Sequence, residues 1–145
     1  MKTKETKSTD HRTYLYRLLS GRPYTEREVL EKLLRRGAER AEAESLVSEF
    51  GLAGLIDDEL YARLFASGRD SWGNERIRYE LRQKGVRGEY IDSALEEGDE
   101  LARALPLAEG WEKQGLDKRK IASRLARRGF SSRIIRRVVS DAPDW

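Results

Sequence analysis

Apolar positions recur in the same order three times along the chain, each set arranged around a glycine. The anchors are Gly37, Gly85 and Gly129, 48 and 44 residues apart. Eight positions before each stand Val29, Ile77 and Ile121, and four before stand Leu33, Leu81 and Leu125. One position after come Ala38, Val86 and Phe130; six after, Ala43, Ile91 and Ile135. Nine after come Leu46, Ala94 and Val138, and ten after Val47, Leu95 and Val139. With 38% of the chain hydrophobic, agreement in every column is far from chance. A repeat of this length decides the architecture before any single segment is read.

The columns predict a helix–turn–helix pair. Positions eight and four before the glycine share one face of a helix. Glycine then ends it, taking the left-handed conformation that closes many helix C-termini. Arg35-Arg36, Gln83-Lys84 and Arg127-Arg128 place polar and cationic residues at that negative dipole end. Thr25 and Glu28 have capping-box spacing. Asn74, Asp117 and Ser131 or Ser132 are the N-caps expected for the later helices. A further helical segment precedes each pair: Thr13–Ser20, Asp58–Ser67 and Asp99–Trp111, with Pro106 in or near a first turn or at a kink. Residues 67–74, SGRDSWGN, read as the longest loop. The expected fold is all-α: three tandem three-helix repeats over 14–56, 57–97 and 98–141, elongated and curved. The polar stretch 1–13 reads as a disordered lead-in.

Charge changes this picture from shape to partner. Charged residues make up 38% of the 145, yet the net charge is only +3. Thin stacked units suit so polar a chain, because each helix needs only one buried stripe. The charges fall in blocks: 1–24 carry six Lys/Arg against two Asp/Glu, and 25–60 five against ten. Residues 61–95 carry seven against five, 96–113 two against six, and 114–145 nine against three. Such alternation suits a partner read by complementary charge.

Chemistry is sparse. There is no cysteine and one histidine, His11. The carboxylates Asp57-Asp58-Glu59 point about 100° apart on a helix, so they suit N-capping rather than one metal ion. No serine sits in a triad context, and SWGNER (71–76) lacks the glycine spacing and lysine of a phosphate loop. No cofactor or catalytic activity is expected. Neither an apolar run of about 20 residues nor a signal-peptide stretch occurs, so the expected setting is the cytoplasm, without a membrane.

The last two helices carry the sharpest candidate surface. Winding 117–128 puts Ile121, Ala122, Leu125 and Ala126 on one side and Lys120, Arg124 and Arg127 on the other. Winding 132–140 puts Ile134, Ile135, Val138 and Val139 inward and Arg133, Arg136 and Arg137 outward. A face kept only for solubility mixes signs; these faces point to a polyanion or an acidic protein. A second set, Arg76, Arg78, Arg82, Lys84 and Arg87, is diluted by Glu75, Glu80 and Glu89. Trp72 beside it is either an exposed contact or a cover for the core, and Trp111 is expected between units.

The string DDELYARLFASGRDSWGNERIRYELRQKGV (57–86) resembles the hallmark segment of the RecX family. It has the Asp-Asp pair, an aromatic and Ala one turn on, a basic glycine-containing loop, and then Arg76, Ile77, Glu80, Leu81, Lys84 and Gly85 in the family's helix pattern. LYRLLSGRPYTEREVLEKLLRRG (15–37) is similar to the family's first unit and KIASRLARRGFSSRIIRRVV (120–139) to its third. Ala38 departs from the larger apolar residue usual after the first glycine. The resemblance, over residues 12–141, implies a monomeric bacterial modulator of RecA without catalytic activity. It implies binding to the RecA–single-stranded-DNA filament, with DNA contact weak or indirect, and inhibition of ATP hydrolysis, strand exchange and co-protease activity. A helix-turn-helix regulator of duplex DNA, with Arg133–Arg137 as reading edge, and a purely structural helical adaptor are the competing readings.

Overall fold

The computed structural model describes the backbone of residues 4–141 and the side chains of residues 9–140. Among them are nine helices and no strand. Unit 1 comprises α1 (Lys4–Gly21), α2 (Glu26–Arg35) and α3 (Arg40–Leu52). Unit 2 comprises α4 (Asp58–Ser67), α5 (Asn74–Gln83) and α6 (Gly88–Glu97), and unit 3 α7 (Glu100–Lys113), α8 (Lys118–Arg127) and α9 (Ser132–Asp141).

Each unit closes around its own apolar cluster. Leu15, Val29, Leu33, Leu46 and Phe50 fill the first. Tyr61, Ala62, Ile77, Leu81 and Ile91 fill the second, and Ala104, Trp111, Ile121, Leu125 and Phe130 the third. The helices that pack extensively, α2 on α3, α4 on α6, and α7 and α8 on α9, belong to one unit in every case. The repeat columns are these cores, except that Val47, Ile135 and Val139 are half-buried rather than buried. In unit 3 the residue before Ile135, Ile134, takes the deeper place. The surface of 9374 Å² exceeds the roughly 7600 Å² of a compact monomer of this mass, as expected of units set in a row.

The helix ends follow from local chemistry. Gly85 has φ +84°, its N–H donates to the Arg82 carbonyl and that of Val86 to Leu81, a Schellman closure that also occurs at Gly37 and Gly129. Thr25 and Glu28 form the expected capping box. Asp57 caps α4 and Asp117 caps α8 through their carboxylates.

Four expectations need correction. Much of the lead-in is helix: α1 begins at Lys4, because the stripe that buries Leu15 extends back one turn to His11, only 7% exposed. Residues 1–3 of that segment lie outside the described residues. The cap of α5 is Gly73, not Asn74, whose side chain instead accepts from Arg103. Of the two places expected for Pro106, the first turn is excluded: it lies inside α7, at its seventh residue. Trp111 lies in the core of unit 3, not between units.

The units meet by setting the start of a middle helix on the turn at the end of the next unit's middle helix. The Thr25 hydroxyl donates to the Lys84 carbonyl at 2.7 Å. At the second joint the Gly73 N–H donates to the Arg128 carbonyl at 2.9 Å and that of Glu75 to Gly129 at 3.0 Å. The first residue of each outer helix then reaches back. Asp58 accepts from the Glu26 N–H at 3.0 Å, and Glu100 from the Asn74 N–H at 2.7 Å. Glu100 also takes the Ser131 N–H and hydroxyl, tying α9 into the same joint. These contacts satisfy donors that a helix start leaves open, and carboxylates suit the positive dipole end. Close approach is part of the design: a Cβ on Gly73 would stand 2.1 Å from the Phe130 nitrogen.

Candidate partner interface

Unit 3 presents the expected cations outward. Lys120, Arg124 and Arg127 on α8 and Arg133, Arg136 and Arg137 on α9 are all exposed, while Ile121, Leu125, Ile134 and Val138 are buried beneath. Residues 118–140 contain no acidic residue. The guanidinium groups of Arg124 and Arg128 lie 5.6 and 5.3 Å from the centre of the Trp111 ring. Arg128, outside the expected set, is half-buried, and its backbone carbonyl forms part of the second joint. Stacking on an aromatic ring holds a guanidinium in place without neutralising it.

The middle set divides. Arg76 lies 3.9 Å from the Trp72 ring centre, and Arg69 lies over Phe65 and Trp72, so Trp72 covers the core edge between two guanidiniums. Arg78 pairs with Asp92, Lys84 lies 3.8 Å from Glu28 across the first joint, and Arg87 pairs with Glu89. Arg82 is exposed and has no ion pair among the described residues. These cations are largely engaged by the protein's own acids and rings, and the set forms no counterpart to the surface of unit 3.

A groove of about 670 Å³ lies beside the second joint, with Ala66, Leu95, Ala102 and Pro106 in its lining. Arg63 and Glu97 pair across its rim at 3.5 Å, so it presents no single sign of charge. Among the described residues no cluster of His and carboxylates could hold a metal ion, and no helix is long and apolar enough to cross a membrane.

The first joint contains a buried acid, Asp58, whose ionisation is perturbed. Burial pushes the Asp58 carboxyl above the usual carboxylate range; the Glu26 N–H opposes this, and Glu26, Asp57 and Glu28 add to it. The folded state therefore holds that proton more tightly than the unfolded chain. Ionised Asp58 costs stability above its raised pKa, a cost absent below the unfolded value. Asp58→Asn keeps an oxygen for Glu26 without the charge. Its stability relative to the native chain should rise between about pH 3 and pH 7 in urea titrations; a flat or falling difference would contradict this.

Sequence reasoning missed the joint acids. The signal is present in Asp57-Asp58 and Asp99-Glu100, two acidic pairs at the same place in successive units. The first member caps its own helix and the second reaches the neighbour.

Similarity to known proteins agrees with this geometry. Residues 12–50 match the first three-helix domain of RecX and residues 57–95 the second. The regulatory protein RecX of Trichlorobacter lovleyi is 38% identical over 136 residues, covering 84% of this chain and 88% of that protein. That of Streptomyces coelicolor is 34% identical over 143 residues, covering 90% and 76%. The crystal structure of RecX from Lactobacillus salivarius shares the fold with a TM-score of 0.85 at 20% identity, over 93% of this chain and 96% of that one.

Proposed function

The chain belongs to the RecX family of regulatory proteins, and from that membership we propose that it modulates RecA by binding the RecA–single-stranded-DNA filament. Bound there as a monomer in the cytoplasm, it lowers ATP hydrolysis, strand exchange and co-protease activity and has no catalytic role of its own. The observation that carries this reading is the acid-free cationic face of unit 3, set at one end of an elongated row of units. An extended surface of one sign suits a polyanionic or acidic lattice, which it meets through electrostatic attraction before close contact.

The duplex-reading alternative is less well supported. A recognition helix reads base edges from its N-terminal residues. Here α9 offers arginines but no Asn or Gln to read adenine, and Ser131 just before it is occupied by Glu100 inside the joint.

The experiment is direct: the protein is added to RecA on single-stranded DNA, and ATP hydrolysis and co-sedimentation are followed. Hydrolysis should fall with added protein while the protein pellets with the filament. Unchanged hydrolysis together with no co-sedimentation would remove the proposal.

A further inference from the structure

The two joints define a template whose first copy lies open at the N-terminal end. The caps of α2, α5 and α8 are Thr25, Gly73 and Asp117, each twelve residues before its turn glycine. Thr25 and Gly73 are buried under the following unit, whereas Asp117 is exposed. The turns show the converse. A Cβ on Gly85 would meet Arg27 of unit 1 at 2.5 Å, and one on Gly129 would meet Arg76 of unit 2 at 2.4 Å. Gly37 has the same conformation, φ +94°, is exposed, and has nothing within 4 Å of such a Cβ among the described residues.

A second feature of the template is incomplete at the same end. Four residues before the wholly buried residue of each first helix (Leu15, Ala62 and Ala104) stand His11, Asp58 and Glu100. Asp58 and Glu100 accept the first N–H of the preceding unit's middle helix. His11 is 7% exposed, and its Nδ1 has no hydrogen-bond partner among the described residues.

Charge selects the occupant. At the first joint the residue before the glycine, Lys84, faces Glu28, the third residue of the incoming helix. Its counterpart in unit 1 is Arg36, exposed and stacked on Tyr14 at 4.0 Å, beside Arg35. The helices that occupy the two internal turns carry acid in their first turn, Glu26 and Glu28 in α2 and Glu75 in α5. The start of α8 carries none; Lys118, Arg119 and Lys120 follow its cap. The second joint does bring one cation, Arg76, to the Gly129 turn beside Arg128, but with Glu75 next to it. A second copy docking head to tail would bring three cations and no acid against Arg35 and Arg36, and that repulsion is uncompensated.

We infer that the Gly37 turn, with Arg36, is a docking socket for the start of a helix in a partner protein, one with an acidic first turn. It rests on the function proposed above for the identity of that partner, the recombinase protomer of the filament. The partner's free N–H groups would meet the turn's carbonyls, as Gly73 and Glu75 meet those of Arg128 and Gly129.

The test is Gly37→Asn. Asparagine is the residue after glycine that best tolerates this backbone, and its side chain fills the socket. Gly115→Asn is the control, since Gly115 has φ +92° with equal open space, in the turn before α8. Co-sedimentation with RecA on single-stranded DNA should show the native chain and Gly115→Asn binding alike. Gly37→Asn should need at least tenfold more protein, with a melting temperature close to that of the control. If Gly37→Asn does not fold, Arg36→Glu reads the same contact and should weaken binding. Binding of the substituted socket equal to the control overturns the socket and leaves the proposed function standing. Failure of the native chain itself to bind removes that function, and this occupant with it.

Discussion

Gly73→Ala is expected to part the second and third units. The added Cβ would stand 2.1 Å from the Phe130 nitrogen, 2.2 Å from its Cα and 2.3 Å from the Gly129 carbonyl carbon. All three are backbone atoms, so no side chain can swing aside. The joint must open, and with it go the bonds from Gly73 to Arg128, Glu75 to Gly129 and Asn74 to Glu100. Overpacking alone costs about 1–3 kcal/mol; Glu100 loses the Asn74 N–H but keeps its bonds from Ser131 inside unit 3. We expect the amides of Gly73, Asn74 and Glu75 to lose hydrogen-exchange protection while Ile77 and Leu81, inside the unit 2 core, keep theirs. Native-like protection at all three amides would show that the joint tolerates the methyl group and that its closeness is not structural.

Replacing Lys120, Arg124, Arg127, Arg133, Arg136 and Arg137 together by glutamine should leave the helical content intact and remove the proposed contact with the filament. These side chains are exposed and the apolar residues beneath them are untouched. Removing six cations should weaken filament binding on the order of 100-fold at physiological salt. If these cations meet single-stranded phosphates, the salt dependence should also flatten, by roughly 0.7 for each phosphate no longer neutralised. Binding to naked single-stranded DNA separates the two kinds of partner surface. A parallel loss there assigns the face to DNA, and loss confined to the filament assigns it to acidic protein. Filament binding as tight as that of the native chain would remove this face from the mechanism.

How much of this is legible in the sequence depends on the range over which each feature is determined. Val29, Leu33 and their counterparts can be read because burial follows the helical period, and Gly85 because a turn glycine announces itself locally. The joints cannot. Gly73 rather than Asn74 caps α5 because Phe130, 57 residues away, presses on that position. Asp58 reads as part of a capping cluster, and Asp57 is indeed the cap, but Asp58 serves Glu26, 32 residues earlier. The N-terminal stretch departs from expectation for a related reason: its composition is polar, yet His11 and Leu15 are enough to hold a stripe against unit 1. The cations of unit 3 stand out because no acid interrupts them. Those of unit 2 are alike in composition, and only their neighbours Asp92, Glu28 and Trp72 show them to be engaged.

The three apolar clusters stay within their units, while the joints rest on hydrogen bonds to helix starts. The two respond differently to cold. Burial of apolar surface loses strength on cooling, whereas bonds between backbone groups do not depend on that driving force. Near freezing, the interiors of the units should soften before the angles between them change. The spacing between the units is thereby insulated from temperature, because it is set by a part of the molecule that contains almost no oil.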